Sequence, residues 1–195
     1  MGFANKVSLS RILTIPFFIA SLIYYARNPQ YYQLKWLALS IFFFAMLTDF
    51  ADGIIARIKR EKTSLGKVLD PLADKLLLLN GFTWLYALRE SLPLQYKLPL
   101  SVVLIIISRD LIILLGIVVL FFLKIEISIT PNIWGKLTTF FQMATILSIL
   151  LELRISNYIG ILACVFTLIS GYLYIKRGVK ALNVFDSKNN HLSSS

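Results

Sequence analysis

The sequence predicts an all-α integral membrane protein, a bundle of about six transmembrane helices with both termini in the cytoplasm. Three observations predict it. Hydrophobic residues make up 57% of the 195 positions and charged residues 15%, against roughly 45–50% and 25% in soluble domains; mean hydropathy is +0.75. Six mostly apolar stretches have the length, about 20 residues, that crosses a bilayer. The basic residues between those stretches are unevenly distributed, as positive charge is in the loops of membrane proteins. Alternating hydrophobicity, the mark of a membrane barrel, is absent. The 20 Lys and Arg against 10 Asp and Glu give +10, but a chain this apolar leaves little surface for a nucleic-acid interface, so no nucleic-acid partner is expected. The single cysteine, Cys164, excludes an internal disulfide framework and reads as a small buried hydrophobe.

The elements follow in order. Residues 7–26 have Lys6 ahead of an apolar run, but Tyr24, Tyr25 and Arg27 occupy the place of a small-residue cleavage site, so this is a retained helix rather than a signal peptide. Residues 34–55 and 68–88 are joined by a basic, glycine-containing connector. Residues 98–123 carry Arg109 and Asp110 inside an apolar run, where ionisable groups are paired or functional. Residues 133–151 open on Gly135 and Lys136, and 155–175 lead into Lys176, Arg177 and Lys180. These helices form one unit over 1–186. The remainder, 187–195, reads as a disordered polar tail in which His191 is mobile. With the N-terminus inside, thirteen basic residues fall in inner segments: Lys6, Arg11, Arg57, Lys59, Arg60, Lys62, Lys67, Lys124, Lys136, Lys176, Arg177, Lys180 and Lys188. Arg27, Lys35, Arg89, Lys97 and Arg154 fall outside, and the asymmetry sets the orientation.

Four of the ten acids lie between Asp49 and Asp74, at the ends of apolar helices. A charge inside a membrane costs roughly 2.5–3.5 kcal/mol on insertion scales, so such groups face a cavity, pair, or bind an ion. Asp49 and Asp52 are i and i+3 on one helix face; Asp70 and Asp74 are i and i+4 on another. Two helices joined by a short loop run antiparallel, so the two acidic faces can meet near the cytoplasmic boundary. Four converging carboxylates repel unless cations neutralise them. All-oxygen ligands suit hard divalent ions such as Mg²⁺ or Mn²⁺, and the absence of nearby Cys or His argues against zinc. The alternative is that these acids pair with Arg57, Lys59, Arg60 and Lys75. Gly53 and Ala56 make a smooth helix face that serves either close ligand approach or helix packing.

Together these residues read D-x-x-D-G-x-x-A-R-x8-G-x3-D-x3-D: Asp49, Asp52, Gly53, Ala56, Arg57, Gly66, Asp70 and Asp74. The pattern resembles the signature of the CDP-alcohol phosphotransferases, with every position present. The resemblance extends over most of the chain, through Arg11 in Leu9-Ser10-Arg11-Ile12-Leu13, the run Leu69 to Lys75, and Gly135-Lys136 with Thr139 and Gln142. It is similar to the branch of phosphatidylglycerophosphate synthases and CDP-alcohol-type cardiolipin synthases. The resemblance implies that a CDP-linked lipid, CDP-diacylglycerol, donates its phosphatidyl group to an alcohol and CMP leaves. It implies that Asp49, Asp52, Asp70 and Asp74 hold two divalent cations, with Asp74 also the general base. Asp52, Gly53, Ala56, Arg57 and Gly66 would bind the CDP-lipid. It further implies a homodimer in the inner or plasma membrane, among membrane lipids, with its site facing the cytoplasm.

Arg109, Asp110 and Lys136 are candidates for the acceptor's phosphate; Arg109 and Asp110 as a buried structural pair, and Lys136 as a mark of the cytoplasmic boundary, are the alternatives. Among acceptors glycerol-3-phosphate comes first and phosphatidylglycerol second. Glycerol-3-phosphate is common in the family, but Thr138 stands where the glycerol-phosphate branch has a second lysine, and Ser108-Arg109-Asp110 replaces its Ala-Arg-Glu. Both departures lean toward phosphatidylglycerol, the acceptor of a cardiolipin synthase. A reading of another class, a divalent-cation transporter, expects acids spread across the bilayer rather than clustered at one depth.

Overall fold

The computed structural model describes residues 3–59, 66–122 and 133–193, with side-chain surroundings over 10–48, 72–116, 118–119 and 133–176. Among the described residues there are six helices and no strand: α1 (Phe3–Arg27), α2 (Gln33–Lys59), α3 (Gly66–Ala87), α4 (Leu100–Phe122), α5 (Ile133–Leu150) and α6 (Ser156–Ser193). The first five follow the expected apolar stretches within a few residues at each end. α6 does not stop with its apolar stretch: it continues through 187–193, which the sequence reads as disordered. No proline interrupts that polar stretch, and Ala181, Leu182 and Lys188 are good helix formers.

Side-chain contacts set the helix directions. In the α5–α6 hairpin, Ser156 Oγ donates to Ser148 O at 2.8 Å and Thr138 Oγ1 to Phe166 O at 2.9 Å. Pairs that climb one helix while descending the other make the hairpin antiparallel. Phe141 and Phe166 stack across it with ring centres 4.9 Å apart. Between α4 and α6, Arg109 meets Ser170 and Gly116 meets Tyr174, so these two run parallel. α1 lies against both α2 and α3, and α5 reaches both as well. Phe18, Leu22, Phe42, Leu77, Leu78, Phe82 and Ile146 fill the centre, all nearly or fully buried.

The outside is also apolar. Leu13, Phe17, Phe44, Leu104, Leu115, Ile161, Leu168 and Tyr172 are exposed, far more apolar surface than a water-soluble monomer presents. Among the described residues two helical stretches, Ile133–Leu150 and Ser156–Lys176, are long and apolar enough to cross a membrane, and Gln33–Thr48 is a shorter apolar one.

One end is closed by an ion pair that overrides a backbone preference. α5 ends in a Schellman turn: Leu153 N–H donates to Ser148 O at 2.9 Å and Glu152 N–H to Ile149 O at 3.0 Å. That turn puts Glu152 at φ 56°, a left-handed position that usually holds glycine. Glu152 stands there because its carboxylate accepts from Lys35 Nζ at 2.6 Å. Lys35 is only 5% exposed and lies over the rings of Tyr32 and Trp36, 4.8 and 5.5 Å from their centres. Glu152→Ala is therefore expected to lower stability by about 1.5–3 kcal/mol, read as the unfolding midpoint in detergent. Glu152→Gly, which relieves the left-handed strain but keeps Lys35 unpaired, should recover only part of that loss.

Candidate functional site

α2 and α3 carry the aspartate motif, and a packing contact sets their register. A Cβ added at Gly81 would stand 2.6 Å from Ile146 Cδ1 and 3.6 Å from Phe42 Cε2, so α2, α3 and α5 meet there without room for a side chain. Asp49 lies seven residues beyond Phe42 on α2, and Asp74 seven residues before Gly81 on α3, about 10 Å along each helix. Counted along each helix, Asp49 and Asp74 thus lie equally far from that contact, and Asp52 and Asp70 lie about one turn farther from it. The side chains of Asp49, Asp52, Gly53, Ala56, Arg57, Gly66 and Asp70 lie outside the described residues. Among the described ones no group of three or more His, Cys, Asp or Glu stands together.

Asp74 is described. Its Oδ1 accepts from Arg11 Nη1 at 2.9 Å, and the side chain remains 24% exposed while that of Arg11 is 2% exposed. α1 thereby supplies a cation to the carboxylate expected to act as base. In the sequence Arg11 counts among the inner basic residues and belongs to the resemblance, with no role at the site. Its signal was a guanidinium at the edge of an apolar helix, where a charge needs a partner.

The next residue on α3 begins a second network. Lys75 Nζ donates to Asp110 Oδ1 at 2.9 Å, and Arg109 Nη1 donates to the same oxygen at 2.6 Å. Arg109 Nη2 donates to Ser170 Oγ at 2.6 Å. Asp110 is fully buried and Arg109 is 9% exposed. Ser170 in turn faces Gly135, where a Cβ would lie 3.7 Å from its Oγ. Polar contacts therefore run from α1 to α3, α4 and α6, with the first turn of α5 against them. Arg109 and Asp110 are a buried pair within this chain. Lys75 pairs with Asp110 rather than with the α2–α3 acids, and Asp74 pairs with Arg11, a cation outside the connector.

Three residues of α5 complete the inventory. Lys136 is exposed. Thr138 is fully buried and donates to both Trp134 O and Phe166 O, at 2.8 and 2.9 Å, so this position serves the α5–α6 seam. Gln142, one turn on, is fully buried, and neither amide atom has a hydrogen-bond partner among the described residues. Ser170 gave no signal in the sequence: nothing in an apolar run separates a serine that binds an arginine from one that bonds its own helix.

Asp110 pairs with two cations, so its removal should cost more than that of any exposed charge. Asp110→Ala is expected to lower stability by about 3–5 kcal/mol, the cost of leaving buried charge without a partner. Lys136→Ala is expected to stay within about 0.5 kcal/mol. Unfolding midpoints in one detergent check both.

Comparison with known proteins bears on this arrangement. The family model described as CDP-alcohol phosphatidyltransferase matches residues 1–169. A CDP-diacylglycerol–glycerol-3-phosphate 3-phosphatidyltransferase of Aquifex aeolicus is 30% identical, over 87% of this chain and 88% of its own. One of the same name from Rickettsia bellii is 32% identical over 88% and 92%. A probable phosphatidylglycerophosphate synthase of Mycobacterium tuberculosis is 30% identical over 91% and 81%. A match spanning 169 residues from the N-terminus takes in the aspartates of α2 and α3, the Lys75–Asp110–Arg109 network and α5, and on that ground the chain belongs to the CDP-alcohol phosphatidyltransferase family.

Proposed function

We propose that this protein transfers the phosphatidyl group of CDP-diacylglycerol to glycerol-3-phosphate, forming phosphatidylglycerophosphate and releasing CMP. The observation that carries the reading is the complete aspartate motif, carried on α2 and α3, in a chain whose relatives are named for that reaction.

Asp74 takes the proton of the acceptor hydroxyl. The freed oxygen attacks the phosphorus that bears the diacylglycerol, the bond from that phosphorus to the CMP oxygen breaks, and CMP leaves with the electron pair. Arg11, bonded to Asp74 Oδ1, orients the base. Arg57 contacts the donor's pyrophosphate, for which a planar guanidinium is suited to bidentate contact. Gly53, Ala56 and Gly66 keep the helix surface open to the nucleotide. An all-carboxylate donor set of Asp49, Asp52, Asp70 and Asp74 fits two Mg²⁺ or Mn²⁺ ions, which when bound supply charge neutralisation on the pyrophosphate. Arg109, Asp110 and the exposed Lys136 form the acceptor side.

Six membrane-spanning helices, both termini in the cytoplasm, and a homodimer in the inner or plasma membrane belong to this reading. The exposed apolar faces and the agreement of helix limits with the apolar stretches support the spans. Phosphatidylglycerol is the second acceptor to test. Thr138, turned into the α5–α6 seam, offers no cation where a glycerol-phosphate enzyme of the branch has a second lysine.

The experiment is CMP release from CDP-diacylglycerol offered with glycerol-3-phosphate, phosphatidylglycerol or inositol phosphate in turn. Release with glycerol-3-phosphate alone is expected; release with phosphatidylglycerol alone moves the chain to the cardiolipin reaction. No release with any alcohol, together with Mg²⁺ flux into liposomes, would replace the transferase by a transporter. Asp74→Asn should cut turnover by about 10²–10⁴, the usual contribution of a positioned base. Chelation by EDTA should stop the reaction, and added Mg²⁺ or Mn²⁺ should restore it.

A further inference from the structure

On the outer side of the bundle, α4 and α6 part to leave a cavity of about 210 Å³. Ile105, Ile112, Leu168 and Ile175 form its apolar walls, and Arg109 and Tyr174 its polar end. Gly171 makes the space: a Cβ there would press to 3.3 Å from Arg109 Cγ. Ile112, Leu168 and Ile175 are exposed, so the cavity opens sideways, along the face of a stretch apolar enough to cross a membrane.

The polar end is short of negative charge. Lys75 and Arg109 share one oxygen of one carboxylate, Asp110 Oδ1. Arg109 Nε and the Tyr174 hydroxyl are buried and bond to nothing among the described residues. Excess cation in an apolar setting is costly, and an anion placed between these donors offsets that cost. A free anion would have to leave water and enter through an apolar mouth. An amphiphile suits both ends at once, with its phosphate against Arg109 and Tyr174 and a hydrocarbon chain along the isoleucines and Leu168.

We propose that the α4–α6 groove binds an anionic glycerophospholipid. The inference rests on the membrane placement and the transfer reaction given above, and adds to them a lateral lipid site that shares Arg109 with the acceptor side. Such a lipid lies two ion pairs from α3, Arg109–Asp110 and Asp110–Lys75, next to the position expected to carry the base. The product of the proposed reaction belongs to the same chemical class, so the groove is suited to receive product leaving sideways into the bilayer.

The test uses the full-length protein, incubated with vesicles of phosphatidylglycerol or phosphatidylcholine, extracted gently, and weighed intact with its retained lipid. Wild type should retain phosphatidylglycerol about tenfold over phosphatidylcholine. Leu168→Trp and Ile112→Trp, which fill the mouth, should each lower retention of both lipids severalfold. Arg109→Gln should bring phosphatidylglycerol down to the phosphatidylcholine level. Equal retention of the two lipids by wild type, or full retention by both tryptophan variants, overturns the proposal even if Arg109→Gln fails to fold. CMP release is measured on the same wild-type preparation. Selective retention without CMP release leaves the lipid site standing and removes the transferase, whereas CMP release without selective retention does the reverse.

Discussion

Charge held inside an apolar bundle has to be paired, and most of what is specific about this protein follows from how it is paired. Asp110, fully buried on α4, accepts from Lys75 on α3 and Arg109 beside it. Arg109 reaches Ser170 on α6, and Asp74, next to Lys75, takes Arg11 from α1. Hydrophobic contact between helices is non-directional, and in lipid it hardly distinguishes a helix from an acyl chain. Ion pairs with fixed donors do distinguish. They rotate α3 so that Asp74 and Lys75, adjacent in sequence and about 100° apart around the helix, each find a different neighbour.

The opposite end is held by the same logic at a cost to the backbone. Lys35 reaches across from the start of α2 to Glu152, and Glu152 accepts a left-handed φ of 56° to meet it, where a glycine would be free of strain. Between the two ends lies the tight meeting at Gly81, Phe42 and Ile146. This contact joins α2, α3 and α5 at the centre of the bundle.

Much of the fold was legible because its driving force is legible. Apolar stretches of spanning length set the helix limits, and the aspartates spaced i+3 and i+4 carry the family's motif. The C-terminal segment differs from its sequence expectation for a reason of local physics. A polar composition removes a core to pack against but does not forbid a helix, and α6 runs on to Ser193. Arg109 and Asp110 were recognised as charges in need of partners; that Lys75 and Ser170 complete them was not visible, since partners 35 and 61 residues away in the chain leave no local pattern. Thr138 stands where the glycerol-phosphate branch carries a lysine, yet it is turned from the site toward the carbonyl of Phe166.

Composition, hydropathy period and motif spacing are local quantities, and they were enough for the helical class, the limits of five of the six helices, the family and the residues expected to do its chemistry. Which cation faces which carboxylate depends on helix rotation and register. Those are settled by long-range packing at Gly81, by the antiparallel α5–α6 seam and by the shared oxygen of Asp110. The groove between α4 and α6 belongs to the same category. Its walls come from residues about 60 positions apart, each unremarkable in its own helix, and only their meeting around Gly171 gives Arg109 an open, apolar-walled side.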